Sequence, residues 1–484
     1  MKLLVVDVGT SGVRAAVVSS EDGRDANRHR PNHYREVLPS SPGPGLVEFD
    51  ARAMAAAVLE VAGAAVAESG PVEAVGIANQ RASTVVWDRA TGEPVGPGLG
   101  WQDLRTVFDC LTLAGQGIRL APNLVATKAA HLLDAADPER KLDLCVGTVD
   151  SWVAWTLSAG SVHVTDATNA ALYGMRLEDE TDWHDHVLKA LRIDRSCLPR
   201  VVDSIGVIGE AQALAGSPPI AGILGDQQAS LLGQGCVRPG QAKITFGTGG
   251  MLDLCLDERP SYATRGTAGT FPIVTRAVGG GRRWGLEAVM LAAGTNVEWL
   301  RDDLGIIDDA ADSHEVASRC ETSDGVAYVP ALLGLGTPTW DYGARGALFG
   351  LTRGSGRPQI VRAVLEGVAQ RAADLVAAAE ADGAVEIPTL RVDGGMTANP
   401  TFLQALADAT GRPVEVSPER EATTLGAAFA AGLAIGAWPD DDAIAATWHP
   451  AEVVEPVGSF DRERWADTLK RAERWFPDLS AISF

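Results

Sequence analysis

The feature that most constrains the fold of this chain is a strand–turn–strand pattern that occurs once in each half. Residues 2–8 (KLLVVDV) and 13–19 (VRAAVVS) predict two buried strands joined by a Gly/Thr/Ser turn, and residues 242–256 (AKITFGTGGMLDLCL) repeat the pattern. Glycine lets backbone N–H groups approach a phosphate closely, and Thr and Ser hydroxyls add donors. Each turn alone is more often an ordinary tight turn. Two of them, the first preceded by Asp7, favour a duplicated phosphate-binding architecture.

The rest of the chain alternates predicted strands and helices, which is typical of the α/β class. In the first half Asp50 is a candidate N-cap for a long helix. The patterns predict strands at 72–78, 84–88 and 390–395 and helices at 50–69, 287–304, 358–381 and 421–436. A length of 484 residues suits two or three domains. We therefore expect two α/β domains, at 1–233 and 234–484, with a cleft between them.

Composition excludes several classes of function. The chain has 41 Lys and Arg against 63 Asp and Glu, and its net charge of −22 disfavours binding to nucleic acid or to an anionic membrane. Its six cysteines form no CxxC pair or metal-ligand spacing, so neither a zinc site nor a disulfide framework is expected. The N-terminus lacks a signal-peptide pattern, and no apolar run reaches the roughly 18 residues of a membrane span. We expect a cytoplasmic protein that binds a small molecule.

Two further motifs follow predicted strands. The chain lacks the nucleotide signatures GxxxxGK(S/T) and GxGxxG, so any phosphate must be bound by other turns. In GDQQASLLGQG (225–235), Asp226 ends a predicted strand, where sites commonly form in α/β folds, and a role as helix N-cap would be compatible with catalysis. VDGGMTAN (392–399) places two glycines before a helix opened by Asn399 and Pro400. This turn either receives an adenine or a phosphate or simply connects strand to helix.

Taken together, these stretches resemble the FGGY family of carbohydrate kinases over nearly the whole chain. The similarity is carried, in order, by DVGTSGVRAAV, GIANQRASTVVWDRATGEPV, GTVDSWVAWTL, VHVTDATNA, GDQQASLLGQGCVRPGQAKITFGTGG, GLGTPTWDYGARGALFGLTRG and LRVDGGMTANPTFLQALADATGRPVEV. The resemblance implies an actin-like, ribonuclease-H-like fold duplicated into two domains, with ATP and Mg²⁺ in the cleft. It also implies transfer of the γ-phosphoryl group of ATP to a hydroxyl of a small polyol or sugar, most like the family's glycerol-phosphorylating members.

The resemblance assigns a role to each matching residue. Asp226 matches the catalytic base, and Asp7 and Asp226 match the carboxylates near the magnesium, which they would hold through waters. The nucleotide-binding positions of the family correspond to Thr10, Ser11, Arg14, Thr248, Gly294, Glu298, Gly395 and Asn399, with Glu298 standing where Gln is usual. The acceptor-binding positions correspond to Arg81, Trp101, Asp226 and Gln227.

The acceptor pocket departs from the pattern of the glycerol-phosphorylating members. Ala82 replaces a substrate-binding Glu, and Asn123, shortly before the pair Thr127–Lys128, replaces an aromatic residue. A lost charge-assisted hydrogen bond is worth roughly 1.5–3 kcal/mol, and the smaller side chains leave room. Asp103, close to Trp101 in sequence, is the predicted replacement carboxylate. These changes favour a larger polyol or keto-sugar, or else a glycerol-phosphorylating enzyme with a rebuilt site. If the pocket decides, an acceptor of four or five carbons is expected to be preferred over glycerol.

Three alternatives remain open at this point. A kinase of a keto-pentose such as xylulose would use the same motifs. A catalytically silent sugar-binding regulator would not need Asp226 and both phosphate turns, which this chain retains. An ATP-driven chaperone or filament protein would share the fold without the acceptor motifs NQR (79–81) and WQDLR (101–105). The resemblance also implies assembly as a homodimer or homotetramer.

Overall fold

The structure is a computed structural model of the chain that describes residues 1–20, 32–177, 182–419 and 421–482. Its strands, numbered along the chain, are β1 (Lys2–Val8), β2 (Gly12–Ser19), β3 (Asn32–Glu36), β4 (Glu48–Phe49), β5 (Ala74–Asn79), β6 (Thr84–Asp88), β7 (Gly98–Leu99), β8 (Leu144–Thr148), β9 (Val164–Asp166), β10 (Arg200–Val202), β11 (Ile205–Glu210), β12 (Pro219–Gly225), β13 (Ala242–Phe246), β14 (Gly250–Leu256), β15 (Phe271–Val278), β16 (Gly281–Met290), β17 (Ala327–Val329), β18 (Ala347–Phe349), β19 (Leu390–Asp393), β20 (Val414–Val416) and β21 (Glu452–Val454). Its helices are α1 (Ala51–Ser69), α2 (Val107–Ala114), α3 (Val125–Ala136), α4 (Val149–Leu157), α5 (Ala167–Ala170), α6 (Asp185–Ala190), α7 (Asp226–Gly233), α8 (Thr295–Asp302), α9 (Asp312–Ala317), α10 (Arg357–Gly383), α11 (Pro400–Thr410), α12 (Ala422–Ile435), α13 (Asp441–Ala445), α14 (Arg462–Ala472) and α15 (Pro477–Ser480).

The two halves of the chain repeat one strand arrangement within a large sheet, whose described part has 13 strands. In the first half the order is β3-β2-β1-β5-β12, with β1 antiparallel to β2 and parallel to β5. In the second half the order is β16-β14-β13-β19-β20, with β13 antiparallel to β14 and parallel to β19. The same order and the same directions occur twice, so the prediction of a duplicated, ribonuclease-H-like α/β fold is confirmed.

Each half has its own hydrophobic core on its sheet. In the first half α1 and α4 cover the sheet, and the rings of Trp87 and Trp152 lie 5.2 Å apart in that core. In the second half α10 and α11 do the same, with Phe246 and Phe402 in edge-to-face contact at 4.9 Å. Among the described helices, none combines the length and the apolar character needed to cross a membrane.

Glycine residues let two helices cross in direct contact where the halves meet. A Cβ built on Gly426 of α12 would lie 1.8 Å from the carbonyl oxygen of Ala229 in α7, and one on Gly233 of α7 would lie 2.0 Å from that of Ala422. Real Cβ atoms essentially never approach a carbonyl so closely, so any larger residue at these positions would force the helices to shift. The crossing fixes α7, whose first residue is Asp226, against α12.

Several predicted element bounds agree with the structure, and one does not. Asp50 caps α1 by accepting the N–H groups of Arg52 and Ala53, and Asn399 caps α11. The prediction of a helix over 287–304 is wrong in its first part, because residues up to Met290 belong to β16, which pairs with β14 and β15. The helix there is α8 alone. A short apolar run can form either a buried strand or a buried helix, so the sequence pattern does not distinguish the two at 287–290.

The crossing of α7 and α12 can be tested by adding single methyl groups. We expect Gly426→Ala to lower the free energy of unfolding by about 1–3 kcal/mol, because the added Cβ would overlap the Ala229 carbonyl and force the helices apart. The matched control is Gly63→Ala within α1, where the added Cβ would have no described atom within 4 Å apart from the neighbouring backbone of its own helix, and stability should rise by about 0.5–1 kcal/mol. Urea unfolding measures both, and equal effects would contradict the crossing geometry.

Candidate active site

Polar and charged side chains from both halves of the chain meet around Asp226, and we call this group the central site. Its members are Asp7, Arg14, Arg81, Asp226, Gln227, Lys243, Asp253, Glu287 and Glu421. Those numbered up to 227 belong to the first half, and the others belong to the second.

Asp226 lies at the junction of β12 and α7. Its Oδ1 accepts the N–H of Gln227 at 2.8 Å and lies 3.5 Å from Nε of Arg81, and 33% of its side chain is exposed. The N–H of Gly225 donates to Oγ1 of Thr168 at 2.9 Å, which fixes the end of the strand. Burial raises the pKa of Asp226, and the Arg81 guanidinium only partly opposes this. A carboxylate with raised proton affinity that still reaches solvent is suited to accept a proton.

Arg81 connects the two halves. It follows β5, and its Nη2 donates to Oε2 of Glu287, on β16 of the second half, at 2.5 Å. Both side chains are about nine-tenths buried. Nη1 of Arg81 is buried as well and has no hydrogen-bond partner among the described residues. Since buried donors are nearly always paired, this free donor points to a bound ligand.

Three charged residues form a row across β13, β14 and β16. Lys243 lies opposite Asp253 in the strand register, and Asp253 lies opposite Glu287. Lys243 and Asp253 are fully buried with 2.8 Å between Nζ and Oδ2, and Nζ also donates to Oε1 of Gln227 at 2.6 Å. Because that oxygen is engaged, the amide nitrogen of Gln227 is the end that can face a ligand. Burial raises the pKa of Glu287, and Arg81 opposes this.

Sequence reasoning missed this row. The predicted helix over 287–304 includes Glu287, and none of the sequence motifs assigns a role to Lys243 or Asp253. The signal was nevertheless present, because each residue is the lone charge of an apolar stretch, in AKITF, MLDLCL and GLEAVM. A buried charge of this kind is costly unless it is paired, so three such stretches indicate a shared site.

The first Gly/Thr turn lies beside the central site. The N–H of Gly9 donates to the carbonyl of Gly12 at 3.0 Å, which closes the turn, and Ser11 at its tip is exposed. Oγ1 of Thr10 accepts the indole N–H of Trp101 at 3.3 Å. This hydrogen bond joins the predicted phosphate turn to a predicted acceptor residue.

Three carboxylates accumulate next to this turn. Arg14 lies opposite Asp7 in the hairpin register, 4.0 Å from its carboxylate, and forms an ion pair with Glu421. Burial raises the pKa of Asp7 to about 7; Arg14 opposes this, whereas the carboxylates of Asp226 and Glu421 reinforce it. In the described part of the chain, no three His, Cys, Asp or Glu side chains are arranged to coordinate a metal directly.

The second Gly/Thr turn is held by the start of α8. The carbonyl of Gly247 accepts the N–H of Gly294 at 2.9 Å, and that of Thr248 accepts the N–H of Ala293 at 2.8 Å. A Cβ on Gly294 would lie 2.6 Å from the Gly247 oxygen, so the contact needs glycine. Thr248, in this turn, is exposed, and so is Glu298, in the first turn of α8. The structure thus brings together Thr248, Gly294 and Glu298, whose nucleotide-binding role stays a prediction.

The third Gly-rich turn lies at the same sheet edge, because β19 is parallel to β13. Gly394, at φ +95°, allows this approach, since a Cβ there would lie 2.3 Å from the carbonyl oxygen of Phe246. Gly395 faces open space. The Asn399 amide accepts a backbone N–H of α11 at 3.0 Å and donates to Ser313 at 2.9 Å. Asn399 therefore shapes the turn, and Gly395 leaves room for a ligand.

Asp103 does not face the central site, and its predicted role as a replacement carboxylate is wrong. Its side chain is fully buried. Oδ1 accepts the N–H and Nε of Arg105, and Oδ2 accepts Nη2 of Arg105 and the N–H of Val47 at 2.7 Å. Although burial alone would raise it, these hydrogen bonds hold the pKa of Asp103 below its ordinary value. Trp101, in contrast, is 37% exposed.

The two substituted acceptor positions differ in their surroundings. Ala82 has a φ of +60° and is only 4% exposed, and its side chain belongs to a hydrophobic cluster. Asn123 is exposed. Ala82 is therefore part of the core, whereas Asn123 is exposed, and room for a larger acceptor beside Asn123 stays a prediction.

Comparison with known proteins identifies the family. Residues 2–233 match the N-terminal domain of the FGGY family of carbohydrate kinases, and residues 242–435 match its C-terminal domain. The chain belongs to the FGGY family. It is therefore an enzyme, a phosphotransferase, and the resemblance predicted from the sequence is confirmed.

Relatives and solved structures agree with this assignment. A glycerol kinase of Trichlorobacter lovleyi is 41% identical, covering 98% of this chain and 99% of its own, and glycerol kinase 2 of Thermotoga maritima is 39% identical with the same coverage. The structure of Plasmodium falciparum glycerol kinase with ADP superposes with a TM-score of 0.88 at 25% identity, over 100% of this chain and 99% of the other. A xylulose kinase from Brucella ovis has a TM-score of 0.84 at 23% identity over 100% of both chains, which shows the shared fold.

Because burial and neighbouring carboxylates raise the pKa of Asp7, the free energy of unfolding depends on pH. In the folded chain the pKa of Asp7 is about 7, against an ordinary value of 3.8, so ionising Asp7 costs stability as the pH rises through that interval. We expect Asp7→Asn to raise the melting temperature at pH 8 and to have little effect at pH 4. The gain has a ceiling of about 4 kcal/mol, since a tenfold change in proton affinity is about 1.4 kcal/mol. If the melting temperatures of the native protein and the Asn variant differed by the same amount from pH 4 to pH 8, the raised pKa of Asp7 would be contradicted.

Proposed function

We propose that the protein transfers the γ-phosphoryl group of ATP to a hydroxyl of a small polyol, of the chemical class of glycerol, with Mg²⁺ as the metal. The observation that carries the proposal is the position of Asp226, partly exposed, beside a buried Arg81 that has a free donor, with a Gly/Thr turn in each half of the chain. The names of the curated relatives support the same class of acceptor.

The two halves divide the binding between them. In this proposal the domain at 1–233 holds the acceptor and the domain at 234–484 holds the nucleotide. The acceptor contacts are Arg81, Trp101 and Gln227. The nucleotide contacts are Thr10, Ser11 and Arg14 from the first half and Thr248, Gly294, Glu298 and Gly395 from the second. Asn399 supports the last turn from behind, because its amide is already hydrogen-bonded.

The chemistry depends mainly on position and charge, since phosphoryl transfer requires little covalent assistance from the protein. Asp226 accepts the proton of the attacking hydroxyl. Nη1 of Arg81 and the amide nitrogen of Gln227 donate to other hydroxyls of the acceptor, and the ring of Trp101 covers its carbon face. Arg14 exchanges its ion pair with Glu421 for phosphate oxygens.

The carboxylates present fit a magnesium ion. Oxygen is the ligand that Mg²⁺ prefers, and it usually keeps several waters. Burial raises the pKa of Asp7, and the nearby carboxylates of Asp226 and Glu421 add a repulsion that a bound cation would relieve. Asp7 and Asp226 would hold the ion through waters. Bound Mg²⁺ would neutralise charge on the β- and γ-phosphates.

The proton-accepting role of Asp226 can be separated from nucleotide binding. We expect Asp226→Asn to reduce kcat by about 10²–10⁴-fold, because the isosteric amide cannot take up the proton. The dissociation constant for ADP, measured by calorimetry, should change by less than about threefold. An Asn variant that keeps turnover within a few-fold of the native enzyme would overturn the assignment.

The exposed Asn123 generates the prediction on acceptor size. In this proposal Asn123 ends one side of the acceptor pocket, and its small polar side chain leaves room for an acceptor longer than three carbons. We therefore expect a four- or five-carbon polyol to have a higher kcat/KM than glycerol. We expect Asn123→Phe to move preference back toward glycerol by about tenfold, the lower end of what one methylene is worth in a hydrophobic pocket. Ala82→Glu is no substitute, because it would bury a carboxylate in the core.

A coupled ADP-release assay over glycerol, tetritols, pentitols, xylulose, ribulose and gluconate measures both effects. If glycerol has the highest kcat/KM, the size argument is wrong and the names of the relatives are the better guide. If xylulose does, the acceptor class is a keto-pentose. If ADP is released with no member of the panel, the proposed function itself fails.

A further inference from the structure

A single buried ammonium group joins three segments that surround the acceptor residues. Lys128 lies on α3, and its side chain is fully buried. Its Nζ donates to the carbonyl oxygens of Ala82 at 2.7 Å, Asn123 at 3.0 Å and Gly100 at 3.3 Å. An ammonium carries three N–H donors and no acceptor, so these carbonyls use its full capacity.

Each of the three carbonyls adjoins a residue that the proposed function uses. Ala82 directly follows Arg81, and the carbonyl of Gly100 belongs to the peptide bond of Trp101. Asn123 is itself the exposed position of the acceptor wall. The same segments are joined a second time, because Oγ of Ser83 accepts the N–H of Trp101 at 3.1 Å. Lys128 therefore contacts three segments of the proposed acceptor site at once, those of Arg81, Trp101 and Asn123.

Burying the ammonium of Lys128 costs free energy, which indicates that the residue does more than fill the core. A buried lysine must give up its hydration, and an apolar side chain of similar length would avoid that cost. Burial lowers the pKa of Lys128 to about 7, against the opposing carboxylate of Asp103. Asp103 is itself neutralised by Arg105, so it offers only partial compensation. Ala82 also adopts a φ of +60°, a region that residues other than glycine seldom occupy, while its carbonyl accepts from Nζ.

We propose that Lys128 is the positioning residue of the acceptor site: its ammonium sets the separation of the Arg81, Trp101 and Asn123 segments and thereby the affinity and selectivity for the acceptor. It touches neither the acceptor nor the nucleotide. The proposal rests on the proposed function for the identity of the site, but the geometry that it invokes can be tested without turnover.

The kinetic test uses the full-length enzyme with Lys128→Met, an unbranched apolar side chain one atom shorter that removes all three donors. We expect the KM for the best acceptor to rise about 10- to 100-fold, because small misplacements of binding groups have effects of this size. The KM for ATP should stay within about threefold, and the ratio of kcat/KM between the best and the second acceptor should fall toward one. The matched control is Lys141→Met, an exposed lysine, which should change none of these values.

A merely structural role predicts a different outcome. It would reduce the active fraction, and so kcat for every acceptor alike, while both KM values and the selectivity ratio stayed constant. That result with Lys128→Met would overturn the proposal. If the Met variant does not fold, Lys128→Gln, which retains two donors, takes its place and should give a smaller change of the same kind.

Hydrogen–deuterium exchange gives a readout that does not depend on activity. We expect amides of residues 82–84, 100–103 and 123–125 to exchange faster in Lys128→Met, while the turn at 247–250 is unchanged. Unchanged exchange at all three segments would overturn the proposal even if no acceptor is found. Faster exchange in an enzyme without any polyol kinase activity would instead support the positioning role and reject the proposed function.

Discussion

The crossing of α7 and α12 is the contact on which the arrangement of the site depends. The two helices touch backbone to backbone because Gly233 and Gly426 lack side chains. α7 begins with Asp226, and α12 begins directly after Glu421, the partner of Arg14. One sterically defined contact therefore sets the distance between acidic groups of the two halves. Helices that carried larger side chains at the crossing would hold these groups further apart, because the distance between packed helices grows with the side chains at the contact.

The charges of the site are balanced across the junction between the halves. Arg81 of the first half meets Glu287 of the second, Arg14 meets Glu421, and the amide of Gln227 meets Lys243. Of these contacts, only the pair of Arg81 and Glu287 is buried, and breaking it would leave an uncompensated charge, so this pair above all holds the halves in one relative position. A ligand that supplies its own charges or hydroxyls can exchange for these partners.

The net charge of −22 does not govern what the site can bind. Anionic phosphates would approach a chain that is acidic overall, but they would meet Arg14 and the backbone N–H groups of the glycine turns. Dipoles and single cations at short range outweigh distant surface charge, which salt screens. The composition therefore argues against extended polyanions, such as nucleic acids, and leaves small anionic ligands possible.

The sequence by itself determined the duplicated hairpins, the helix caps at Asp50 and Asn399, and the place of Asp226 at a strand end, because turns, caps and periodicity depend on neighbours along the chain. Only the tertiary structure decided that the carboxylate of Asp103 is hydrogen-bonded to Arg105 and Val47. It also decided that Glu287 pairs with Arg81 and that Lys128 joins three loops. These contacts link residues far apart in sequence, and a carboxylate near Trp101 in sequence can still point away from it. Which partner a buried charge finds is settled by packing, since desolvation penalises every arrangement except the one in which the charge is paired.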